Sequence, residues 1–209
     1  MKLRLRVSPA AEKQVRAGHP WIYDGSIREQ NREGEPGELA VVYDRNDRFL
    51  AIGFYDPQSP LRVRVVHRGK PQVIDKEWWR KQLIAALEKR HDLFDQHTNA
   101  YRCVHGESDG FPGLVLDRYA NVAVLKLYSS SWLPRLGEIK ELVTEQLRPD
   151  AYGRSGVIQD VRGTTRKNGV ALRISIRAYA KKNLTGVANV HVVVHYDHVL
   201  CEHHLPHAP

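Results

Sequence analysis

Residues 3–21 read LRLRVSPAAEKQVRAGHPW and contain the strongest structural signals in the chain. Apolar and basic residues alternate at the start of this stretch, which predicts a strand from Leu3 to Val7. Ser8 is a good helix N-cap and Pro9 suits the first helical position, so a helix is expected over 9–17. Gly18 follows, where a helix commonly ends in a left-handed glycine. A strand, a short helix and a tight turn are therefore predicted in succession.

Further short strands are predicted up to residue 66. They are Trp21–Ile27, Leu39–Tyr43, Arg48–Phe54 and Leu61–Val66, with turns at 31–38, 44–47 and 56–60. Short strands with one short helix favour a small closed or half-closed β-barrel. The outward positions of two of the strands are basic: Arg4, Arg6, Arg62 and Arg64. If these strands are neighbours, the four arginines form a basic stripe; otherwise they belong to an ordinary solvated sheet face.

The next stretch mixes helices with strands. A helix is predicted from Asp75, because apolar residues recur at helical spacing at Trp78, Leu83, Leu87 and Phe94. Three strands are then predicted, at Tyr101–Val104, Leu114–Leu116 and Val122–Tyr128, with turns at 105–113 and 117–121. An amphipathic helix is expected over Trp132–Leu147. These elements predict a second, mixed α and β unit over 75–152.

The last part of the chain, 153–209, has weaker patterns. Strands are predicted at Val170–Ala178 and Val187–Val194. Six of the eleven histidines fall in 191–209, and this stretch offers possible zinc ligands: His191, His195, His198, Cys201, His203 and His204. No Cys-x-x-Cys pair accompanies them, so no metal site is predicted.

Composition excludes several classes of protein. The chain has 209 residues, 42% of them hydrophobic, and no apolar run of membrane-spanning length. Two cysteines are too few for a secreted disulfide scaffold, so a cytoplasmic protein is expected. The net charge is +8, with a net of +6 in residues 1–90, −2 in 91–154 and +4 in 155–209. This basic excess is compatible with a polyanionic partner and equally with a soluble surface.

Candidate binding residues follow the first helix. Arg16 can contact a phosphate, Gly18 allows a close backbone approach, and His19 can bond to a base. Trp21 is more typical of a core residue. Glu107 and Asp109 resemble an acid/base pair, but carboxylates in a turn more often accept hydrogen bonds from local amides. We find no phosphate-binding loop, dinucleotide motif or nucleophile elbow, so no catalytic or cofactor-binding residues are predicted.

Two longer motifs carry a family resemblance: RAGHPWIY at 16–23 and YRCVHGESDGFPGLVLDRY at 101–119, with GFYDP at 53–57 between them. Residues 3–150 resemble the class I S-adenosylmethionine (SAM)-dependent RNA methyltransferases that modify carbon 5 of a cytosine in large-subunit ribosomal RNA. The resemblance implies an N-terminal PUA domain, which is a small RNA-binding pseudobarrel. It further implies a connecting α+β domain and then a Rossmann-like catalytic domain.

The resemblance ends near residue 154, and neither cysteine matches a nucleophile position of the family. We therefore expect an α+β protein with a PUA-like domain over 1–74, a connecting domain over 75–152 and a divergent tail over 153–209, without the Rossmann-like domain. The expected partner is RNA, in particular ribosomal RNA, bound through Arg16, Gly18, His19, Arg62 and Arg64. SAM is implied for the whole family and not for this chain, which is expected to be truncated and inactive. The alternatives are an active methyltransferase seen only in part, and a metal-binding or structural protein that acts through the histidine-rich tail.

Overall fold

The computed structural model describes residues 1–95, 97–98, 100–119, 122–147 and 189–194. In the first part it has β1 (Leu3–Val7), α1 (Pro9–Arg16), β2 (Trp21–Ile22), β3 (Ile27–Gln30), β4 (Leu39–Tyr43), β5 (Phe49–Tyr55) and β6 (Val63–Arg68). The second part has α2 (Lys76–Glu88), β7 (Ala100–His105), β8 (Leu114–Tyr119), β9 (Val122–Leu127), α3 (Leu136–Gln146) and β10 (Asn189–Val194). Short 3-10 helices occupy Asp24–Ser26, Gly106–Asp109 and Ser130–Arg135. The described residues thus have the mixed α+β composition that the sequence predicts.

The first helix confirms the capping argument. The Ser8 hydroxyl accepts a hydrogen bond from the Ala11 amide at 3.3 Å, and Pro9 is the first helical residue. Helix α1 ends at Arg16, and Gly18 follows with a positive φ of 102°. Such a φ favours glycine because a Cβ atom would be strained there. The local sequence alone therefore determines where this helix begins and ends.

A six-stranded sheet follows the order β2-β6-β5-β4-β1-β3, in which β1 and β4 are parallel and the other pairs are antiparallel. The predicted single strand Trp21–Ile27 is wrong. It stops at Ile22, and a 3-10 turn at Asp24–Ser26 carries the chain to β3 at the opposite edge of the sheet. The hydrogen bond from the Ser26 amide to the Tyr23 carbonyl closes this turn, which breaks the strand.

Of the two alternatives for the outward arginines, the basic stripe does not form, because β4 and β5 lie between β1 and β6. Three strand spacings of about 4.8 Å put the two strands roughly 14 Å apart along the sheet. The Arg4 guanidinium instead lies over the Tyr43 ring, 4.5 Å from its centre. Arg6 forms ion pairs with Glu29 and Asp47 at 2.7 and 2.9 Å. The arginines of β1 therefore serve local contacts.

The second sheet has the order β10-β9-β8-β7. Strands β7, β8 and β9 pair antiparallel, and β10 pairs parallel to β9. Helices α2 and α3 contribute to one core with these strands, including Trp79, Leu83, Phe111, Leu116, Leu125, Trp132, Ile139 and Leu142. Phe54 of β5 and Val66 of β6 also belong to this core. The two sheets therefore share buried side chains.

Two predicted elements of the second part differ from the structure. The helix predicted over Trp132–Leu147 begins only at Leu136, because Pro134 lies in the preceding 3-10 helix and has no N–H for a regular α-helical bond. The turn predicted at 117–121 starts too early, since β8 continues through Asp117 to Tyr119. Asp117 stays in the sheet because Arg102 and Lys126 bind its carboxylate.

In the tail, the predicted strand Val187–Val194 corresponds to β10, Asn189–Val194. The predicted strand Val170–Ala178 lies outside the described residues. So do 148–188 and 195–209, and the expected absence of a Rossmann-like domain stays a prediction. The domain limits 1–74, 75–152 and 153–209 also stay predictions. Within the described part of the chain, no helix has the length and apolar character that crossing a membrane requires.

Candidate nucleic-acid interface

Arg16 is the last residue of α1 and is held by two acids. Its Nη2 lies 2.7 Å from Asp44 Oδ2, and its Nε lies 3.1 Å from Glu12 Oε1. Burial would raise the pKa of Asp44, but the backbone amides of Arg48 and Asn46 and the Arg16 guanidinium outweigh it and keep that pKa below its usual value. The Arg16 side chain is still 51% exposed. It is therefore fixed in position and open to solvent.

Gly18 brings the backbone close to Arg68, the last residue of β6. A Cβ atom built on Gly18 would lie 3.4 Å from Arg68 Nη1. Arg16 and Arg68 border a hollow of about 420 Å³ whose other lining residues are Val15, Phe49, Leu50 and Gly69. We call this hollow the Arg16–Arg68 groove. It combines two exposed guanidinium groups with an apolar base and glycine backbone, which suits the phosphates and sugars of RNA.

His19 lies in the turn between α1 and β2. Its Nδ1 is 3.3 Å from the Trp21 amide nitrogen, and its ring meets the edge of the Trp21 indole with 5.8 Å between centroids. The Trp21 Nε1 donates to Glu107 Oε1 at 3.1 Å. His19 thus contacts Trp21, which in turn is hydrogen-bonded to Glu107 in the second part of the protein. Its predicted role in base recognition stays a prediction.

Arg62 and Arg64 occupy different surroundings. Arg62 pairs with Asp24 at 2.6 Å and also donates to the carbonyls of Asp56 and Pro57, with only 16% of its side chain exposed. Arg64 Nη1 lies 3.3 Å from Glu107 Oε1, at the junction of the two sheets. Arg16 therefore lies at the groove with Gly18 beside it, whereas Asp24 and Glu107 hold Arg62 and Arg64 elsewhere. That these five residues bind RNA stays a prediction.

Sequence analysis missed Arg68. The strand predicted over Leu61–Val66 ended too early, whereas β6 extends to Arg68 and presents its side chain beside Gly18. The available signal was the continuation of the strand into His67 and Arg68 before the glycine at 69, where the turn begins. Its partner Arg16 lies on a different element, so only the tertiary structure brings the pair together.

The acidic turn at 105–113 has the structural role that its composition favours. Asp109 accepts hydrogen bonds from Arg90 at 2.6 Å and from the His105 amide at 2.7 Å. Burial would raise the pKa of Asp109, but these partners and Lys89 outweigh it and lower that pKa. Glu107 accepts from Trp21 and Arg64. Asp109 thus accepts from an amide of its own turn, as predicted, whereas the partners of Glu107 are distant in sequence. Both carboxylates are engaged in structural bonds.

The described residues do not fit SAM. A SAM or nucleotide site in an α/β unit usually needs a glycine-rich loop between a strand and the following helix. Among the described strand-to-helix connections, 69–75 between β6 and α2 has one glycine, Gly69, and 128–135 between β9 and α3 has none. In the second of these, Ser129 caps the 3-10 helix through the Ser131 amide. Metal ligands do not cluster either: in the described ranges no three side chains from His, Cys, Asp and Glu gather into a possible metal site. Residues His195, His198, Cys201, His203 and His204 lie outside those ranges.

The first part of the chain matches a known class of domain. Residues 5–68 match the family described as PUA-like domain, which corresponds to the six-stranded sheet and α1. The chain thus carries a PUA-like domain whose buried side chains are shared with a second α+β unit.

Its relatives are ribosomal RNA methyltransferases. The chain is 62% identical over 146 residues to the ribosomal RNA large subunit methyltransferase of Deinococcus radiodurans, covering 68% of this chain and 36% of that protein. It is 36% identical over 165 residues to ribosomal RNA large subunit methyltransferase I of Alteromonas mediterranea, covering 78% of this chain and 41% of that protein. The chain is therefore homologous to this group and spans less than half the length of either relative.

Solved structures agree on the fold. A protein from Streptococcus mutans described as a SAM-dependent methyltransferase superposes with a TM-score of 0.61 at 18% identity, over 84% of this chain and 48% of that one. A second methyltransferase structure, complexed with SAH, gives a TM-score of 0.60 at 18% identity, over the same shares of the two chains. At this identity the likeness concerns the fold alone.

Proposed function

We propose that this chain corresponds to the RNA-binding part of a SAM-dependent methyltransferase that modifies carbon 5 of a cytosine in large-subunit ribosomal RNA. The names of the relatives support the RNA class and the reaction class. The two motifs at 16–23 and 101–119 support the cytosine position through their family resemblance. The soluble, cytoplasmic location expected from the cysteine content belongs to the same proposal.

The observation that carries RNA binding is the Arg16–Arg68 groove on the PUA-like domain. Arg16 Nη1 has no protein partner among the described residues, and neither has the Arg68 guanidinium, so both can contact phosphate oxygens. Gly69 lines the groove and Gly18 lies beside Arg68, and the lack of side chains there lets a sugar-phosphate backbone come close. Asp44 holds Arg16 in place before RNA arrives, so less side-chain entropy is lost on binding.

The test is the salt dependence of RNA binding by the full chain and by two alanine variants, Arg16→Ala and Arg68→Ala. Each variant should weaken binding of a large-subunit RNA hairpin. Each should also make the plot of log affinity against log salt shallower by about 0.9, the contribution of one phosphate contact. Arg68→Ala is the sharper variant, because Arg16 also stabilises the buried Asp44.

Arg28→Ala is the matched control, since Arg28 is an exposed arginine on β3 at the far edge of the sheet from β6. It removes the same charge and should leave the slope unchanged. Equal slopes for native protein and both groove variants would refute the groove as the interface. If Arg28→Ala made the slope equally shallow, the RNA would be attracted by the overall positive charge of the protein and not by the groove.

The catalytic half of the proposal needs a separate measurement. With labelled SAM and large-subunit RNA, this chain is expected to transfer no methyl group, and calorimetry is expected to show no SAM binding. The support for this expectation is that the connection 128–135 between β9 and α3 contains no glycine. Transfer of label to RNA, or micromolar binding of SAM, would contradict this half of the proposal.

A further inference from the structure

The second sheet has a face that the proposed RNA site does not use. On β8, Leu114 and Leu116 belong to the core shared with the helices, so the alternate residues Val115, Asp117 and Tyr119 lie on the opposite face. Lys126 of β9, next to the core residues Leu125 and Leu127, lies there too. We call this the outer sheet face and define it by five residues: Arg102, Asp117, Tyr119, Lys126 and Tyr128.

The centre of the outer sheet face carries surplus positive charge. Arg102 Nε lies 2.8 Å from Asp117 Oδ1, and Lys126 Nζ lies 2.9 Å from Asp117 Oδ2. Two cations therefore share one buried carboxylate, which leaves a net charge of about +1 in the cluster. Hydrogen bonds to Asp117 raise the pKa of both cations, and Tyr119 and Tyr128 are close enough to add to that effect. With 43% of the Arg102 side chain exposed, this charge reaches solvent.

Two exposed aromatic rings flank this charge. Tyr119 is 48% exposed and Tyr128 is 43% exposed. Tyr119 pairs with Val122 across the sheet, whereas the Tyr128 amide donates to the carbonyl of Gly113. Gly113 directly precedes β8 and lies six positions before Tyr119, so the two tyrosines lie about 20 Å from each other along the strand direction. Solvent-exposed rings thus stand on both sides of the cations.

The Tyr128 end of this face runs into a hollow of about 380 Å³ at the junction of the two sheets. Trp21 and Arg64 of the PUA-like domain line it, together with His105 and Tyr128. The ion pair between Arg64 and Glu107 crosses the junction at 3.3 Å. The outer sheet face is therefore continuous with residues that belong to the proposed RNA-binding domain.

We propose that the outer sheet face binds a single-stranded segment of the same RNA, with bases stacked on Tyr119 and Tyr128 and phosphates beside Arg102 and Lys126. This inference rests on the proposed function and extends it to a second contact surface. Two rings that flank two cations on a sheet surface suit unpaired nucleotides, because bases stack on aromatic side chains while cations contact the backbone. The surplus positive charge favours binding of RNA, a polyanion, over binding of a protein surface that has few acidic residues.

The experiment compares two RNAs on the full chain: a short hairpin, and the same hairpin with a single-stranded pyrimidine extension. The native protein should bind the extended RNA more tightly. Tyr119→Ala and Tyr128→Ala should each bind the extended RNA about tenfold more weakly than the native protein, because stacking of one base on an aromatic ring contributes about that much affinity. Both variants should bind the plain hairpin as the native protein does, which also shows that they are folded.

Tyr119→Phe is the matched control, because it keeps the ring and should keep the gain. The inference is overturned if the extension adds no affinity, or if the alanine variants bind extended RNA like the native protein. If the hairpin still binds through Arg68 in those cases, the proposed function stands and the outer sheet face is free for another partner. If neither RNA binds, both proposals are wrong.

Discussion

Replacing Arg135 by methionine tests the contact that joins the two parts of the protein. Arg135 Nη1 donates to the Gly37 carbonyl at 2.6 Å, and its guanidinium lies 5.2 Å from the centre of the Phe54 ring. A hydrogen bond from a charged donor contributes about 1.5–3 kcal/mol, and a cation–π contact contributes about 0.5–2 kcal/mol. Burial of the charged guanidinium reduces the net stabilisation from these two contacts, and the same burial lowers the pKa of Arg135. Methionine keeps most of the apolar packing, so Arg135→Met should cost about 2 kcal/mol of unfolding free energy.

The assay is urea unfolding followed by tryptophan fluorescence, since three of the four tryptophans lie in the core that Phe54 joins. With a slope of about 1–3 kcal/mol per molar urea, the midpoint should fall by about 1 M. Arg28→Met is the control, because Arg28 is exposed and should change the midpoint little. An Arg135→Met protein within about 0.5 kcal/mol of the native one would refute the energetic importance of this contact.

Three further predictions follow from other contacts. Gly37→Ala should lower the unfolding free energy by more than about 1 kcal/mol, because Gly37 has a φ of 81° and a Cβ there would lie 2.5 Å from the Ser131 carbonyl oxygen. Burial would raise the pKa of Asp117, but Arg102 and Lys126 outweigh it and lower that pKa. Asp117 therefore stabilises the fold above its unfolded pKa of about 3.9, and this stability should vanish as pH falls through the lower folded value. Urea midpoints measured against pH should show this loss, and Asp117→Asn should flatten it. Limited proteolysis should trim the chain to near residue 154 and leave 1–150 intact, because the caps and apolar faces of that part agree with its fold.

A specific result would contradict each of these three predictions. A Gly37→Ala protein with an unchanged melting temperature would mean that the loop shifts away from Ser131 at no cost. Parallel pH profiles for native protein and Asp117→Asn would place the acid sensitivity in other carboxylates, such as Asp44 or Asp109. A protease-resistant tail with slow amide exchange would make 155–209 part of the fold and contradict the expectation of a divergent tail.

The elements that sequence analysis predicted well are those with local causes. The Ser8 cap determines the start of α1, and the Asp75 side chain accepts from the Trp78 amide at 2.8 Å at the start of α2. The turn at 105–113 follows equally from its composition, with Gly110 and Gly113 at positive φ values of 79° and 70°. In each case the physical reason lies within a few residues, so one stretch of sequence is sufficient.

The arrangement of the strands and the candidate site depend on distant partners. Nothing near β1 indicates that its parallel neighbour is β4, and the arginine stripe failed for that reason. The Arg16–Arg68 groove joins the end of a helix to the end of a strand about fifty residues later. The Asp44 carboxylate that holds Arg16 comes from a third element. Such pairings result from packing of the whole sheet, which periodicity does not encode.

Phe54 shows that the two halves of this protein are not interchangeable modules. Its backbone belongs to the PUA-like sheet, yet its ring stacks 5.9 Å from Trp79 and meets Trp132 at 4.8 Å in the other core. In a fragment of residues 1–74, the Phe54 ring and Val66 would be exposed to solvent, and such a fragment should be poorly soluble. If evolution replaced the first half by a different domain, the aromatic residues of the second half that contact Phe54 (Trp79 and Trp132) would have to change at the same time. We therefore expect the two halves to be inherited together.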